Sequence, residues 1–389
     1  MNTRGKSLDK LYSYCKDRDW SGYDPFDGLS SRLFAAVPLV SRFRIARLAF
    51  LQLNKKMPLN LRPLLLIRRG RNPKGIGLFL YSLSMLYQKY ENEEYRAQME
   101  EFRSWLQKHV SLGYRGNCWG YNFDWQSRAF FLPKGTPTVV NTSYIGRAFL
   151  KYYEVTQEKE ALQIARSACD FILGDLNRKE NERTVAFSYS PLDHYFVHNA
   201  TALGASLLSA VYGKTGEEIL VRVAKKAIQS VIDKQQPSGS WFYGESKTAR
   251  GVGIDSFHTG FILECLKIYT ENTGDKDYEK ALRKGLKFYQ DHFFLPEGAP
   301  KYYPDREYPM DIHSAAQAII TLIQLRPYGA DQNLRDKIYA WMMQNLYDRN
   351  GYFYYQKHRF YTNRIAYMRW GQAWAFRALV EYDLAAGRE

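Results

Sequence analysis

His194, His198, His258 and His313 stand near acidic residues at the expected starts of helices. Asp255 precedes His258 by three positions, Asp311 precedes His313 by two, and Asp193 lies beside His194 and five before His198. An imidazole or a carboxyl placed against a substrate can move protons as a general acid or base. Three chemistries are open to such a set. Glycoside hydrolysis needs two carboxyls ~5–10 Å apart, which Asp124, Asp255 and Asp311 could supply from separate segments. Elimination or C5 epimerisation of a uronic acid needs a base and a group that neutralises the carboxylate. His198, His258, Tyr189 and Tyr243 qualify for the first role, Asn141, Arg364 and Arg369 for the second. Metal binding is the third chemistry. His194 and His198 have the i, i+4 spacing of a helical ligand pair, but Tyr195 stands where an HExxH pattern requires Glu, and no third ligand is identifiable. Neither a metal nor a cofactor is therefore expected. Asn141, Asn199, Asp255 and Asp311 also stand where helix N-caps belong, which is their plain structural alternative.

For these residues to meet, distant segments must arrive at one place, and a repeat can bring them there. A short aromatic piece runs through a polar residue into an amphipathic helix at VVNTSYIGRAFL from Val139, FVHNATALGASLL from Phe196, IDSFHTGFILECL from Ile254, MDIHSAAQAIITL from Met310 and MRWGQAWAFRALV from Met368. Asn141, Asn199, Ser256, Ile312 and Trp370 mark these starts, roughly 56–58 residues apart, a period that holds two helices and two connections. First helices are expected near 142–154, 199–212, 256–271 and 313–326, and second helices near 159–174, 216–234, 277–293 and 332–346. An earlier hairpin begins at Gly77 and Glu94. The helix near 369–386 has no partner after it, and the helix read at about 31–53 is expected to supply one. Six hairpins would then close into an all-α (α/α)6 toroid with short β pieces in loops, burying the faces that terminal repeats leave open. Residues 1–30 read as an N-terminal arm and 31–389 as one toroid domain. All first-helix starts would share one end, beneath the long aromatic loops 111–140 and 235–254.

Of the 389 residues, 45% are hydrophobic and 16% aromatic, with 31 Tyr and 8 Trp. That is more ring surface than a helical core needs, and planar faces stack on sugars. Trp119, Trp125, Trp241, Tyr243 and Trp370 are the expected stacking platforms. Net charge is +15, which bears on partners rather than fold. No nucleic-acid module or basic tail accompanies it, so an acidic polymer or an anionic membrane surface is the better match. The four cysteines are scattered without CxxC spacing, against a zinc site or disulfide framework. No signal-peptide pattern or membrane span is legible, so a cytoplasmic protein is expected, with the inner membrane face open. The stretch Arg32 to Leu53, apolar with Arg42, Arg44 and Arg47 interspersed, could lie on a membrane surface. Packing against the rest of the protein is the expectation for it.

Gln235-Gln236-Pro237-Ser238-Gly239-Ser240-Trp241 resembles the Gln–Gly–Trp repeats of squalene and hopene cyclases and of prenyltransferase β-subunits, which pin helix ends to loops. The Asp-x-Asp-Asp run of those cyclases and the Cys and His zinc set of lanthionine cyclases and prenyltransferases are absent. Across nearly the whole chain, the sequence resembles a group of proteins found with bacterial and archaeal extracellular-polysaccharide biosynthesis. Asp24-Pro25-Phe26-Asp27-Gly28, Asn72-Pro73-Lys74-Gly75, Trp119-Gly120-Tyr121-Asn122-Phe123-Asp124-Trp125-Gln126 and Pro133-Lys134-Gly135-Thr136-Pro137 carry that likeness. It implies a six-hairpin toroid and a glycan-related role, without an established catalytic residue.

The expectation is a carbohydrate-active enzyme acting on an anionic polysaccharide or its precursor, with hydrolase ahead of lyase and epimerase on carboxyl count. Asp124, Asp255, His258, Asp311 and His313 form the expected catalytic set. Trp119, Trp125, Asn141, Tyr189, His198, Trp241, Tyr243, Arg364, Arg369 and Trp370 form the expected binding set. A non-catalytic glycan-binding or scaffold subunit and an isoprenoid-type cyclase are the alternatives.

Overall fold

The computed structural model describes residues 3–245 and 253–386, so the middle of the 235–254 loop lies outside the described residues. Along the chain, helices form at Thr3–Lys16 (α1), Arg32–Ala35 (α2), Pro38–Ser41 (α3), Arg44–Lys56 (α4), Pro73–Tyr90 (α5), Glu93–Lys108 (α6), Val139–Thr156 (α7) and Lys159–Gly174 (α8). His198–Thr215 (α9), Glu218–Ile232 (α10), Ser256–Thr273 (α11), Glu279–His292 (α12), Ile312–Gln324 (α13), Gln332–Leu346 (α14) and Ala373–Ala386 (α15) follow. The last is entered through a wide π turn, Met368–Gln372.

Helices α5, α7, α9, α11, α13 and α15 each contact the next, and α15 returns to α5, closing a ring of six. Their sequences are apolar nearly all round, as fits helices covered on every side. In α9, twelve of eighteen residues are buried. The outer helices α6, α8, α10, α12 and α14 are apolar on one stripe only, such as Leu282, Gly285, Leu286 and Tyr289 of α12. The fold is thus the expected all-α (α/α)6 toroid. Strands are confined to loops: Trp125–Gln126 with Phe131–Leu132, Arg178–Glu180 with Val185–Phe187, and Met310–Asp311 with Gln356–Lys357 and Thr362–Asn363.

The inner helices start at one end of the ring, and α5, α7, α9, α11 and α13 finish at short turns at the other. Two of these turns place Gly216 and Gly274 at φ 70 and 71, a left-handed cap conformation that glycine adopts without Cβ strain.

Ring closure differs from expectation. The helix packed on α15 is α1, from the supposed arm, with Leu8, Leu11, Tyr12 and Cys15 buried at i, i+3, i+4 and i+7. The 31–53 stretch instead breaks into α2, α3 and α4. Pro38 opens α3 and holds Val37 out of helical geometry (φ −114, ψ 77), because the residue before proline is sterically pushed from the α region. These pieces lie over the end where the inner helices start: α4 touches the first strand, and Lys55 Nζ lies 4.5 Å from the Phe26 ring. Packing involves one side of α4, through Leu51 and Asn54, and leaves much of the segment exposed.

Candidate active site

The first turns of the inner helices carry most of the expected chemistry. Asp255 caps α11: Oδ1 accepts from the His258 amide at 2.9 Å, and Oδ2 is 2.6 Å from His258 Nδ1. The carboxylate is buried and fixes the imidazole, leaving Nε2 on the partly open side of the ring. Asp311 caps α13 in the same way, accepting from the His313 amide at 2.7 Å. Its oxygens also accept from Gln356 Nε2 at 2.6 Å and Trp370 Nε1 at 3.0 Å. Burial raises its pKa to about 6 despite these donors. Asp311 is therefore held by its neighbours, while the imidazoles of His258 and His313 are the groups able to take or give a proton here.

His313 is buried, and neither ring nitrogen has a hydrogen-bond partner. Its ring lies 4.8 Å from Phe257, 4.4 Å from Trp374 and 4.6 Å from Trp370. Burial, followed by the positive charges of Lys74 and Arg369, holds its pKa well below 6.5, so the imidazole is neutral. Both imidazoles border the same two rings: Phe257 is 4.3 Å from His258, and Phe261 is 5.8 Å from His258 and 5.6 Å from His313.

Around these rings lies a closely packed chamber of buried side chains, and Lys74, which was not anticipated, completes it. Asn72 caps α5 by accepting from the amides of Lys74 and Gly75. That turn sends Lys74 inward, with Nζ 4.3 Å from the Tyr144 ring and 5.3 Å from Trp374. Burial and the nearby Arg369 charge push its pKa well below the usual lysine value. The signal for it was present: Asn-Pro immediately before a helix marks a cap and first turn, so the next residue begins an inner helix like the others.

Asn141 and Asn199 are not caps. Thr138 caps α7, and Asn141 lies within the first turn, buried, with neither amide atom partnered. It shares a helix face with Tyr144, three residues on. Asn199 borders a small pocket of about 10 Å³, roughly one water's space, with Tyr243, Asp255 and His258. Tyr243 lies 4.7 Å from the His258 ring.

Above the chamber, Trp125 packs against Phe26, Phe130 and Tyr189, while Phe26 meets Trp370 at 5.4 Å. The Tyr189 and Tyr121 hydroxyls are 2.9 Å apart. Arg369 is buried here, with two guanidinium nitrogens donating to Asp24 at 2.6 and 2.7 Å. Its charge is thus already answered by Asp24.

Five expected residues lie elsewhere. Trp119 Nε1 donates to the Leu106 carbonyl and its ring packs on Phe149. Trp241 Nε1 donates to the Val231 carbonyl, and Gln235 bridges Gly239 and Ala281, which is the helix-pinning role of the Gln–Gly–Trp pattern. Asp124 turns to the Lys134 amide at 2.6 Å. Arg364 is exposed over Tyr354. His198 faces a groove with Lys179, Arg183, Lys234 and Glu245, and burial lowers its pKa to about 4. Of its two neighbours, Asp193 is taken up by the amides of Tyr189, Ser190 and Tyr195, and His194 is exposed. Among the described residues no cluster of three His, Cys, Asp or Glu could hold a metal.

The architecture has solved counterparts. Cellobiose 2-epimerase from Bacillus thermoamylovorans superposes with a TM-score of 0.66 at 15% identity, covering 80% of this chain and 87% of that one. A D-mannose isomerase gives 0.62 at 13% identity, with 82% and 87% covered. The family 76 α-mannanase of Bacteroides thetaiotaomicron gives 0.60 at 13%, with 81% and 88% covered. No protein-family model matches the sequence, and no curated protein matches it. At these identities the likeness establishes the six-hairpin toroid; chemistry rests on the side chains.

Proposed function

We propose that the chamber is the active site of a carbohydrate epimerase or isomerase. The observation that carries this reading is the pair of imidazoles, His258 held by Asp255 and His313 neutral and unpartnered, bordering the same Phe257 and Phe261 rings. In the open-chain form of an aldose, one imidazole takes the proton from the carbon beside the carbonyl. A second donor protonates the carbonyl oxygen, giving an enediol. Proton return to the opposite face of the same carbon yields the epimer, and return to the former carbonyl carbon yields the ketose. No electron leaves the sugar and no glycosidic bond breaks, so the step balances with side chains alone.

Hydrolysis needs two available carboxyls. At the chamber Asp24 is bound to Arg369, Asp255 to His258, and Asp311 to three donors, which weakens the case for hydrolysis. An anionic substrate also finds less support, because Asp24 already neutralises Arg369. A neutral sugar is the better match to the rings of Trp370, Trp374 and Tyr243 and the polar groups of Asn141, Asn199 and Lys74, and because all of these but Tyr243 are buried, its entry requires the covering loops to move. Those same polar groups speak against an isoprenoid cyclase, whose chamber would be apolar. Two of the structural counterparts are an epimerase and an isomerase, and the third is a mannanase; the side chains carry the reading.

The test is incubation with neutral aldoses, cellobiose-like disaccharides and uronic acids in deuterated water, followed by proton NMR. Deuterium entering at the carbon beside the carbonyl, with a new epimer or ketose, is the expected result. Release of new reducing ends without exchange would replace this reading with hydrolysis.

A further inference from the structure

The stretch from Arg32 to Arg71 differs from the rest of the surface. Ten of the seventeen exposed large apolar side chains among the described residues lie between Leu33 and Leu66, including Leu39 at 83%, Ile45 at 81% and Leu64 at 74% exposure. On α4 the exposed positions after its first residue, the exposed Arg44, are Ile45, Ala49, Gln52, Leu53 and Lys56. They form one stripe at i, i+4, i+7, i+8 and i+11, turned away from the Leu51 and Asn54 side that packs. The stretch also holds ten Lys or Arg, and no acid occurs between Asp27 and Glu91, so it carries ten of the fifteen net positive charges. Arg62 is paired with Asp27, and Arg71 with Asp19 and Glu101. Arg32, Arg42, Lys56 and Arg68 are exposed.

We infer that this face docks on an anionic lipid bilayer. Apolar side chains interleaved with cations are what an interfacial segment uses, the former entering the acyl boundary and the latter meeting headgroup phosphates. A second copy related by a two-fold axis would set these cations against themselves, with no acid from the segment to answer them. A nucleic acid would answer the cations and leave the leucines and Ile45 without apolar partners. No described helix is long and apolar enough to cross a membrane, so the contact is peripheral. The segment that docks also brings Lys55 against Phe26 and Trp370, placing the bilayer next to the chamber's cover.

Flotation with vesicles tests this. The full chain is expected to float with equimolar phosphatidylcholine and phosphatidylglycerol, to stay behind with phosphatidylcholine alone, and to be released by high salt. Two surface variants, Leu39→Ser/Ile45→Ser and Arg32→Gln/Arg42→Gln/Lys56→Gln, should keep the wild-type circular dichroism. The triple variant should lose roughly a hundredfold in partitioning, on the strength of three headgroup contacts. Equal binding to both lipid compositions, or binding unchanged in both variants, would overturn the proposal. So would a wild-type dimer by light scattering that Leu39→Ser/Ile45→Ser dissolves, since that assigns the face to a second copy.

Discussion

Two layers of the same barrel bury polar groups and treat them in opposite ways. At the chamber, Lys74, Asn141, Tyr144, Asn199, His313 and Trp374 gather, and seven of the fifteen unpartnered buried side-chain atoms among the described residues belong to this set. About two turns deeper, Glu264 accepts from Arg147 and from Arg377 at 2.6 Å, Gln317 reaches Glu264 at 3.3 Å, and Arg377 donates to Glu381 at 2.9 Å. The lower layer keeps only Arg147 Nη1 and Gln317 Oε1 without partners. Buried polar atoms without partners destabilise a fold by about 1–3 kcal/mol each. Under the proposed function, the upper groups stay unsatisfied because a ligand completes them, while the floor is complete without one. Glu264 shows how complete the lower pairing is: burial alone would raise its pKa, yet Arg377 and Arg147 hold it at about 2.

The largest expected effect would break the comparison from above. His258→Asn and His313→Asn should each slow deuterium exchange into sugar by ~10²–10⁴-fold, the usual worth of one positioned acid or base. Melting temperature should not fall in either. Exchange that survives both changes would mean that the unpartnered imidazoles are bystanders.

The second tests the floor. Glu264→Gln strips charge from a buried pair and should destabilise by ~3–5 kcal/mol, read by urea unfolding. Because the folded pKa is depressed from 4.5 to about 2, this stabilisation is present above pH 4.5 and vanishes as pH falls toward 2. The gap between variant and wild type should close over that window. A constant gap would mean that Glu264 acts through packing rather than charge.

What the sequence disclosed follows from range. Inner helices were legible because each carries an apolar run at a fixed period, and Asp255 and Asp311 were legible as caps because an acid stood ahead of each run. The pair Asp24–Arg369 spans 345 positions, and no local pattern announces such a partner. Lys74 and α1 were missed for a related reason. A lysine before an apolar run reads as solvated, and the buried stripe of α1 is diluted by Lys6, Lys10 and Lys16. Trp119 and Trp241 misled because a tryptophan in a long loop looks like a sugar platform until its indole N–H is seen on a backbone carbonyl.

A third prediction reverses the sign expected at the floor. His313→Phe removes two unpartnered nitrogens from among aromatic rings and should stabilise by ~1–3 kcal/mol while abolishing exchange. His313 stays neutral in the fold, whereas the unfolded imidazole takes up a proton below pH 6.5. Wild type therefore loses stability as pH falls below 6.5, by up to ~1.4 kcal/mol per unit. Phenylalanine has no such proton to gain, so the variant's advantage in melting temperature should be flat above pH 7 and grow in acid. A flat difference throughout would place His313 in contact with solvent and blur the contrast between layers.

The smallest effect sets the chamber's edge. Asp124 lies next to Trp125 in the aromatic loop, yet Oδ1 accepts from the Lys134 amide at 2.6 Å, closing the Pro133–Gly135 turn. Asparagine keeps an oxygen in that place and loses only the charge on the acceptor. Asp124→Asn should thus cost about 1 kcal/mol or less and leave exchange within about twofold of wild type, since general acid–base catalysis requires the group to reach the reacting proton. Thermal melting and the NMR exchange rate measure the two halves of this statement. If exchange collapsed while melting held, a carboxyl would belong to the chemistry after all. The chamber would then extend up through the Trp125 loop, and hydrolysis would regain one of its two acids.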